Sequence, residues 1–301
     1  MHIPDGFLTN RMALSLDALS AASILYAARR LKLEPSVRMI PIMGVLSAFV
    51  FAAQMLNFPV FGGTSGHLLG GALLGILLGP LAGLLTMTTV IIAQALFLQD
   101  GGIVALGANL FNMGAITVFS GYTCYRLSGA PEHRGRLLTV VGFVAGWLST
   151  VLSAGACALE LGLSGAVPLK VGLPAMVGYH AVIGIVEGIL TVGVLTFLAH
   201  VRPDLLLKNF RPGFTIADGI GAGVLVVIPL TILVLAGSSD LPDPLQLMLA
   251  GSGMLVEPGE SLLYTHRLTD LYRVLLYLAL LVLGGGVYWA ARKVAVRKGR
   301  P

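Results

Sequence analysis

The sequence begins MHIPDGF (1–7), and we predict that the rest of the chain folds around this stretch. A free α-amine, one peptide bond and a histidine form a chelator with three nitrogen donors. The Met1 amine and the His2 amide close a five-membered ring on a metal ion, and that amide and the imidazole Nδ1 close a six-membered one. Such planar nitrogen coordination suits Ni(II) or Cu(II) better than Zn(II), which prefers tetrahedral sites. The alternative is a frayed terminus with a solvated histidine.

The composition predicts an integral membrane protein. Of 301 residues, 56% are hydrophobic and 11% are charged, and the mean hydropathy is +0.90. Repeated apolar runs of about 20 residues are typical of membrane-spanning helices. We expect the net charge of +5 to follow membrane topology, with no nucleic-acid partner. No basic segment precedes the first apolar run, so we expect no cleaved leader and a mature N-terminus at Met1.

We predict an all-α fold, a polytopic bundle of about nine transmembrane helices. Their approximate ranges are 14–28, 37–56, 67–79, 81–98, 104–127, 137–161, 173–199, 216–235 and 271–291. With the N-terminus outside, this count places 15 of the 19 lysines and arginines on one side of the membrane and four on the other. The positive-inside rule then places the C-terminus in the cytoplasm.

The chain divides into two predicted domains. Residues 1–210 form a seven-helix metal-binding domain, and residues 211–301 form a two-helix membrane extension. The extension's helices bracket an acidic extracytoplasmic loop, 238–270. This loop is either a lid near a cation path or an ordinary exposed loop.

A glycine-rich run, FGGTSGHLLGG (61–71), lies on the predicted outer side with Met1. Irregular backbone at membrane depth is tolerated where protein buries it or where it lines a cavity, and an intramembrane histidine is a candidate functional residue. His67 is therefore our candidate for the fourth metal donor, and the flanking glycines would let the N-terminal segment approach. The alternative is a histidine bonded to a neighbouring carbonyl.

Four motifs carry a family resemblance: MHIPDGFL (1–8), GGTSGHLLGG (62–71), QALFLQDGG (94–102) and LGANLFNMG (106–114). With them, the first 210 residues or so resemble the CbiM/NikM family. Its members are the substrate-specific (S) components of energy-coupling-factor (ECF) transporters for cobalt and nickel. The last two predicted helices and their loop resemble the small auxiliary subunit of these systems (NikN/CbiN-like), here fused.

The resemblance implies a planar site of four nitrogens: the Met1 amine, the His2 amide and imidazole, and the His67 imidazole. The transported ion would be Ni²⁺ or Co²⁺. Pro4-Asp5 after His2-Ile3 favours nickel, as does planar nitrogen coordination. We expect Asp5 or Ser65 to orient a histidine ligand or to gate the site.

The resemblance also implies a subunit without catalytic residues or a cofactor, in the plasma membrane of a prokaryote. Its partners would be a transmembrane coupling (T) subunit and cytoplasmic ATPase subunits. The sequence has no Gly-x-x-x-x-Gly-Lys-Ser/Thr loop, so ATP hydrolysis would fall to those partners.

Two other functional classes remain open. A proton-coupled secondary metal carrier could use His180 and Glu187, seven residues apart on one predicted helix, as a proton relay. An intramembrane metalloenzyme ranks last, because the sequence contains no His-Glu-x-x-His motif.

Overall fold

The computed structural model describes residues 1–33, 39–60, 64–129, 136–201 and 243–251. The described chain is mostly helical. Its α-helices are α1 (Asn10–Leu33), α2 (Met39–Gln54), α3 (Gly71–Leu78), α4 (Pro80–Ala93), α5 (Leu106–Asn109), α6 (Thr117–Leu127), α7 (Arg136–Leu163), α8 (Leu169–Val201) and α9 (Pro244–Gly251).

Three helical stretches of the described chain are long and apolar enough to cross a membrane. They are Pro80–Leu98, Arg136–Leu163 and Leu169–Ala199. Helix α2, at 16 residues, is a shorter apolar helix. The predicted helices at 216–235 and 271–291 lie outside the described residues.

A β-hairpin interrupts the predicted all-α pattern and corrects it. Strand β1 (Asn57–Val60) pairs antiparallel with β2 (Thr64–His67), so that Asn57 lies opposite His67. The prediction that a helix begins near His67 is therefore wrong, since α3 begins at Gly71. The reason is local: Gly70 has φ +74°, a left-handed conformation that glycine adopts without steric cost and that separates the strand from the helix.

Helix α3 packs closely on α6. A side chain at Gly71 would collide with Thr117, and one at Gly75 would collide with the main chain of Val118. The four-residue glycine spacing of α3 thus makes a helix-packing face, as expected of small residues in membrane bundles. A side-chain carbon added at Gly79, the third glycine of the series, would meet no other atom within 4 Å.

Two π-helical segments occur where regular helices were predicted. The first, Gln94–Leu98, extends α4, and the second, Leu110–Ile116, joins α5 to α6. A π-helical turn contains an extra residue and shifts the register of the side chains that follow, and such turns are frequent at functional sites. The first segment begins at Gln94, which contacts His2, and the second directly follows Asn109, which contacts Ile3.

Candidate metal centre

The N-terminal segment lies inside the bundle and is not frayed. Met1 is 1% exposed and Ile3 is 0% exposed. The main-chain N–H of Ile3 donates to Oδ1 of Asn109 at 2.7 Å, and Nδ2 of Asn109 donates to the Ile3 carbonyl at 3.1 Å. The same carbonyl accepts the Gly102 N–H at 2.9 Å. The first residues are thereby fixed by main-chain hydrogen bonds to two other parts of the chain.

Asp5 fixes the segment a second time. Its Oδ1 accepts hydrogen bonds from the main-chain N–H groups of Val104 and Ala105, and its Oδ2 accepts from Ile103. These N–H groups immediately precede α5, where a helix has no main-chain partners of its own. Asp5 therefore ties the N-terminal segment to the turn that leads into α5, and its expected role of orienting His2 or His67 stays a prediction.

The N-terminal segment approaches the chain closely at Gly101 and Gly102. The sequence had instead suggested the glycines that flank His67. A side chain at Gly102 would overlap Asp5, and one at Gly101 would press on His2 and Asn109. Beside His67, by contrast, Gly66 faces Ile183 and Gly70 faces Val50. Among the glycines that the structure describes, those at 101 and 102 thus admit the N-terminus, while Gly62 and Gly63 lie outside the described residues.

The Met1 amine and the His67 imidazole are in contact. The amine nitrogen lies 2.7 Å from Nε2 of His67. Nδ1 of His67 lies 3.0 Å from the Leu68 carbonyl oxygen, which assigns the ring proton to Nδ1 and leaves the Nε2 lone pair facing the amine. Desolvation, followed by the nearby amine and the His2 ring, lowers the pKa of His67 to about 3. The ring is therefore a neutral donor at neutral pH.

The His2 side chain is held between two polar groups. Its Nε2 lies 3.1 Å from Oε1 of Gln94, and its Nδ1 lies 3.1 Å from Oδ1 of Asp100. The Gln94 contact places a proton on Nε2, because an amide oxygen only accepts. In the neutral ring with its proton on Nε2, Nδ1 carries a lone pair, which is the form in which an imidazole nitrogen binds a metal ion.

The Met1 amine and His67 Nε2 are spaced like two neighbouring donors of a planar nitrogen site, and the His2 ring lies beside them. The ring centroids of His2 and His67 are 5.5 Å apart, and the ring planes differ by 19°. With metal–nitrogen bonds of about 2 Å, neighbouring donors in a plane are about 2.8 Å apart. The Met1–His67 distance of 2.7 Å matches that separation.

Main-chain donors are essential to any such site. Within the described part of the chain, no three His, Cys, Asp or Glu side chains form a group able to hold a metal ion. The arrangement becomes a four-donor set only when the α-amine and the His2 amide nitrogen are counted with the two imidazoles. A planar set of this kind uses all four of these nitrogens and needs no carboxylate.

Ser65 lies near His67, and its position alone does not establish a role. It is buried in β2, two residues before the histidine, and pairs in register with Pro59. Nδ1 of His67 contacts the Leu68 carbonyl, and the expected role of Ser65 in orienting a histidine ligand or gating the site stays a prediction.

Asp243 belongs to the acidic loop that the sequence left open as a lid, but its contact with the Met1 amine was not predicted. Its Oδ2 accepts a hydrogen bond from the Met1 amine at 2.8 Å. The residue comes from the acidic loop of the extension, 242 positions away in sequence. The Asp-Pro-x-Gln pattern at 243–246 indicates the start of a short helix, but nothing in the sequence identifies the amine as the partner of Asp243.

Glu187 supports the His67 segment from α8. Its two carboxylate oxygens accept the main-chain N–H groups of Leu69 and Gly70, at 2.8 and 2.7 Å. His180, on the same helix, contacts the carbonyl of Met176 through Nδ1. Among the bonds of the described residues, none joins His180 to Glu187, so the two do not form the relay that their spacing allowed.

Comparisons with known proteins show which family this chain resembles. Residues 2–205 match the family described as cobalt uptake substrate-specific transmembrane region. A putative fused nickel transport protein NikMN of Archaeoglobus fulgidus is 44% identical over 232 residues, 76% of each chain. A cobalt transport protein CbiM of Geobacter sulfurreducens is 34% identical over 74% of this chain and 65% of its own. A crystal structure described as a truncated transition metal transporter superposes with a TM-score of 0.61 at 34% identity, over 66% of this chain and 99% of that one.

Proposed function

Since this chain belongs to the CbiM/NikM family and carries a NikN-like extension, we propose that it captures Ni²⁺ for an ATP-driven importer of the ECF type. The chain is a membrane component of metal transport. The proposed ligands are the Met1 amine, the His2 amide nitrogen and Nδ1, and Nε2 of His67.

The observation that carries the proposal is the contact between the Met1 amine and His67 beside the His2 ring. A terminal amine is costly to bury unless it is paired, and here it lies against a neutral imidazole nitrogen and a carboxylate. This arrangement supports a site in which an ion takes the place of the protons between these donors.

Nickel is the ion that the proposed donor set favours. Ni(II) accepts planar coordination by nitrogen and binds nitrogen sites more strongly than Co(II) does. The Asn109, Asp5 and Gln94 contacts fix the N-terminal segment before the ion arrives. Co²⁺ is the alternative cargo within the same family.

We propose the partners and topology that such a role requires. A transmembrane coupling subunit and cytoplasmic ATPases would drive release of the ion inward, since this sequence has no phosphate-binding loop of the Walker type. The chain would lie in the plasma membrane of a prokaryote with nine spans, its N-terminus outside and its C-terminus in the cytoplasm. Residues 1–210 would form the metal-binding domain and 211–301 the extension.

The competing function is a proton-coupled secondary carrier. It requires His180 and Glu187 to exchange a proton, yet each side chain is bonded to main-chain groups instead. The carrier hypothesis predicts uptake into vesicles by this chain alone, without ATP.

The test compares nickel binding by three variants of the purified protein. An extra methionine before Met1 preserves every side chain but moves the amine out of reach, and His67→Ala removes the fourth donor. Both should abolish tight binding in calorimetry and the visible absorption of a planar nickel site. Gly178→Ala, in α8 with nothing within 4 Å of the added carbon, is the control and should bind as the wild type does. Undiminished binding by the extended variant would refute the amine as a ligand.

A further inference from the structure

Helix α9 begins with a capping box. Oδ1 of Asp243 accepts the main-chain N–H of Gln246 at 2.7 Å, and Oε1 of Gln246 accepts the main-chain N–H of Asp243 at 3.0 Å. Pro244 occupies the first helical position, where its missing N–H costs nothing. One carboxylate oxygen of Asp243 is therefore explained by the start of its own helix.

The other carboxylate oxygen of Asp243 takes no part in this capping box. Oδ2 accepts the Met1 amine at 2.8 Å, and the Asp243 side chain is 16% exposed while that of Met1 is 0% exposed. The capping box fixes the carboxylate's orientation, so Oδ2 is aimed before the amine arrives. A fixed acceptor facing a buried amine can hold that amine in one position.

Apolar packing keeps α9 at the site independently of this ion pair. Leu245 is 1% exposed and Leu249 is 0% exposed, and both belong to the main hydrophobic core. Helix α9 contacts α8 and β2, the strand that ends at His67. The segment from the extension is thus docked against the elements that carry the candidate ligands.

We propose that Asp243 is a positioning residue of the metal site, so that the extension completes the site which the N-terminal domain provides. This inference rests on the proposed function. Asp243 does not bind the ion: it holds the Met1 amine beside His67 and accepts one of its hydrogens.

The proton balance allows this contact to persist when the ion binds. The ammonium group gives up one proton to solvent, and its nitrogen lone pair then bonds the metal. The coordinated amine keeps two hydrogens, of which one continues to donate to Oδ2. The lone pair of His67 Nε2 turns from the amine hydrogen to the ion, and the carboxylate charge offsets part of the ion's charge.

A comparison of three proteins distinguishes a role of Asp243 in positioning the amine from a role in capping α9. Asp243→Asn keeps an oxygen that can cap α9, because asparagine is as good an N-cap as aspartate, but it removes the charge that faces the amine. Gln246→Ala weakens the capping box and leaves the Asp243–amine contact in place. The wild type is the reference for both variants, and all three are full-length chains.

Two measurements are made on each protein. The first is the rate at which an N-hydroxysuccinimide ester acetylates the α-amine of the metal-free protein, followed by mass spectrometry of the N-terminal peptide. The second is the Ni²⁺ affinity, with the visible spectrum of the bound ion. For Asp243→Asn we expect acetylation about tenfold faster and nickel affinity about ten- to a hundredfold weaker, with an unchanged spectrum. Gln246→Ala should resemble the wild type in both measurements.

Two results would overturn the inference. If Asp243→Asn matches the wild type in acetylation and affinity, the carboxylate does not hold the amine. If Gln246→Ala reproduces the Asp243→Asn defects, Asp243 acts only as a helix cap. The proposed function fails separately, when the wild type binds no nickel or when the extra methionine leaves binding intact. The acetylation rates then still report whether Asp243 holds the amine.

Discussion

The side-chain amide of Asn109 pairs with both main-chain polar groups of Ile3, accepting its N–H at 2.7 Å and donating to its carbonyl at 3.1 Å. Neighbouring β-strands exchange the same pair of main-chain hydrogen bonds, but here one side chain makes both. It sets the position of the peptide that follows His2. Asn109 therefore helps to set where the candidate nitrogen donors of Met1 and His2 lie.

Replacing Asn109 with alanine should weaken nickel binding by about ten- to a hundredfold, because it leaves the buried Ile3 N–H unpaired. Calorimetry measures the affinity. The matched control is Ser20→Ala, which removes a buried hydrogen bond to the carbonyl of Gly107 in α5 and does not touch the N-terminal segment. Equal losses of affinity in the two variants would argue against a specific role for Asn109.

Replacing Gly102 with alanine should expel the N-terminal segment from its position, since the new methyl group would overlap Asp5. Overpacking costs about 1–3 kcal/mol, so nickel affinity should fall by about five- to a hundredfold. Gly178→Ala is the control: it lies in α8 with nothing within 4 Å of the added carbon, and alanine favours a helix. A Gly102→Ala protein with wild-type affinity and thermal stability would contradict this account.

Glu187→Gln tests support of the His67 segment against a proton relay. Glutamine offers one oxygen for the two N–H groups of Leu69 and Gly70, so the segment should loosen and nickel affinity should fall by about tenfold. His180→Ala should not loosen this segment, because His180 hydrogen-bonds the Met176 carbonyl of its own helix, whereas Glu187 holds Leu69 and Gly70. A relay predicts instead that both changes abolish ATP-independent uptake into vesicles while binding persists.

Nickel binding should weaken in acid, because the amine and the amide must release protons to bind the ion. The loss should approach about tenfold per pH unit for each proton displaced. His67 contributes little to this loss at pH 5, since its pKa is lowered from 6.5 to about 3. Calorimetry at pH 7.5 and pH 5, in buffers of different ionisation enthalpy, counts the protons released. Undiminished affinity at pH 5 would contradict the proposed ligands.

The same pKa shift affects folding in a defined direction. A histidine with a lower pKa in the folded than in the unfolded protein is protonated first in the unfolded chain. The stability contributed by neutral His67 is therefore present above pH 6.5 and is lost as the pH falls toward 3. Denaturation of the metal-free protein across this range should show the loss, and His67→Ala should reduce it.

The long apolar helices were predictable because each is determined by its own sequence. The runs at 81–98, 137–161 and 173–199 became helical stretches with ends within a few residues of those expected. The pairing of β1 with β2 was not predicted, because it depends on hydrogen bonds between two short segments and not on the sequence of either one. The π-helical segments also escaped prediction, because their sequences are ordinary apolar runs and their extra residue is accommodated by neighbouring helices.

The candidate metal-binding nitrogens could be predicted from the sequence for a different reason. The chelate of Met1 and His2 follows from covalent geometry, and His67 stood out as a histidine in an apolar, glycine-rich run. The residues that hold these donors did not stand out. The bonds of Asp5 to the main chain just before α5, for example, were not predicted.

The sequence by itself determined the membrane class, the long helices and the nitrogen donors that lie next to each other along the chain. Only the tertiary structure decided which distant groups meet them: Gln94 and Asp100 at His2, Glu187 behind His67, and Asp243 at the amine. The physical reason is distance along the chain. Bond geometry and hydropathy act over a few residues or one helix, whereas a contact across 242 positions exists only after the helices have packed.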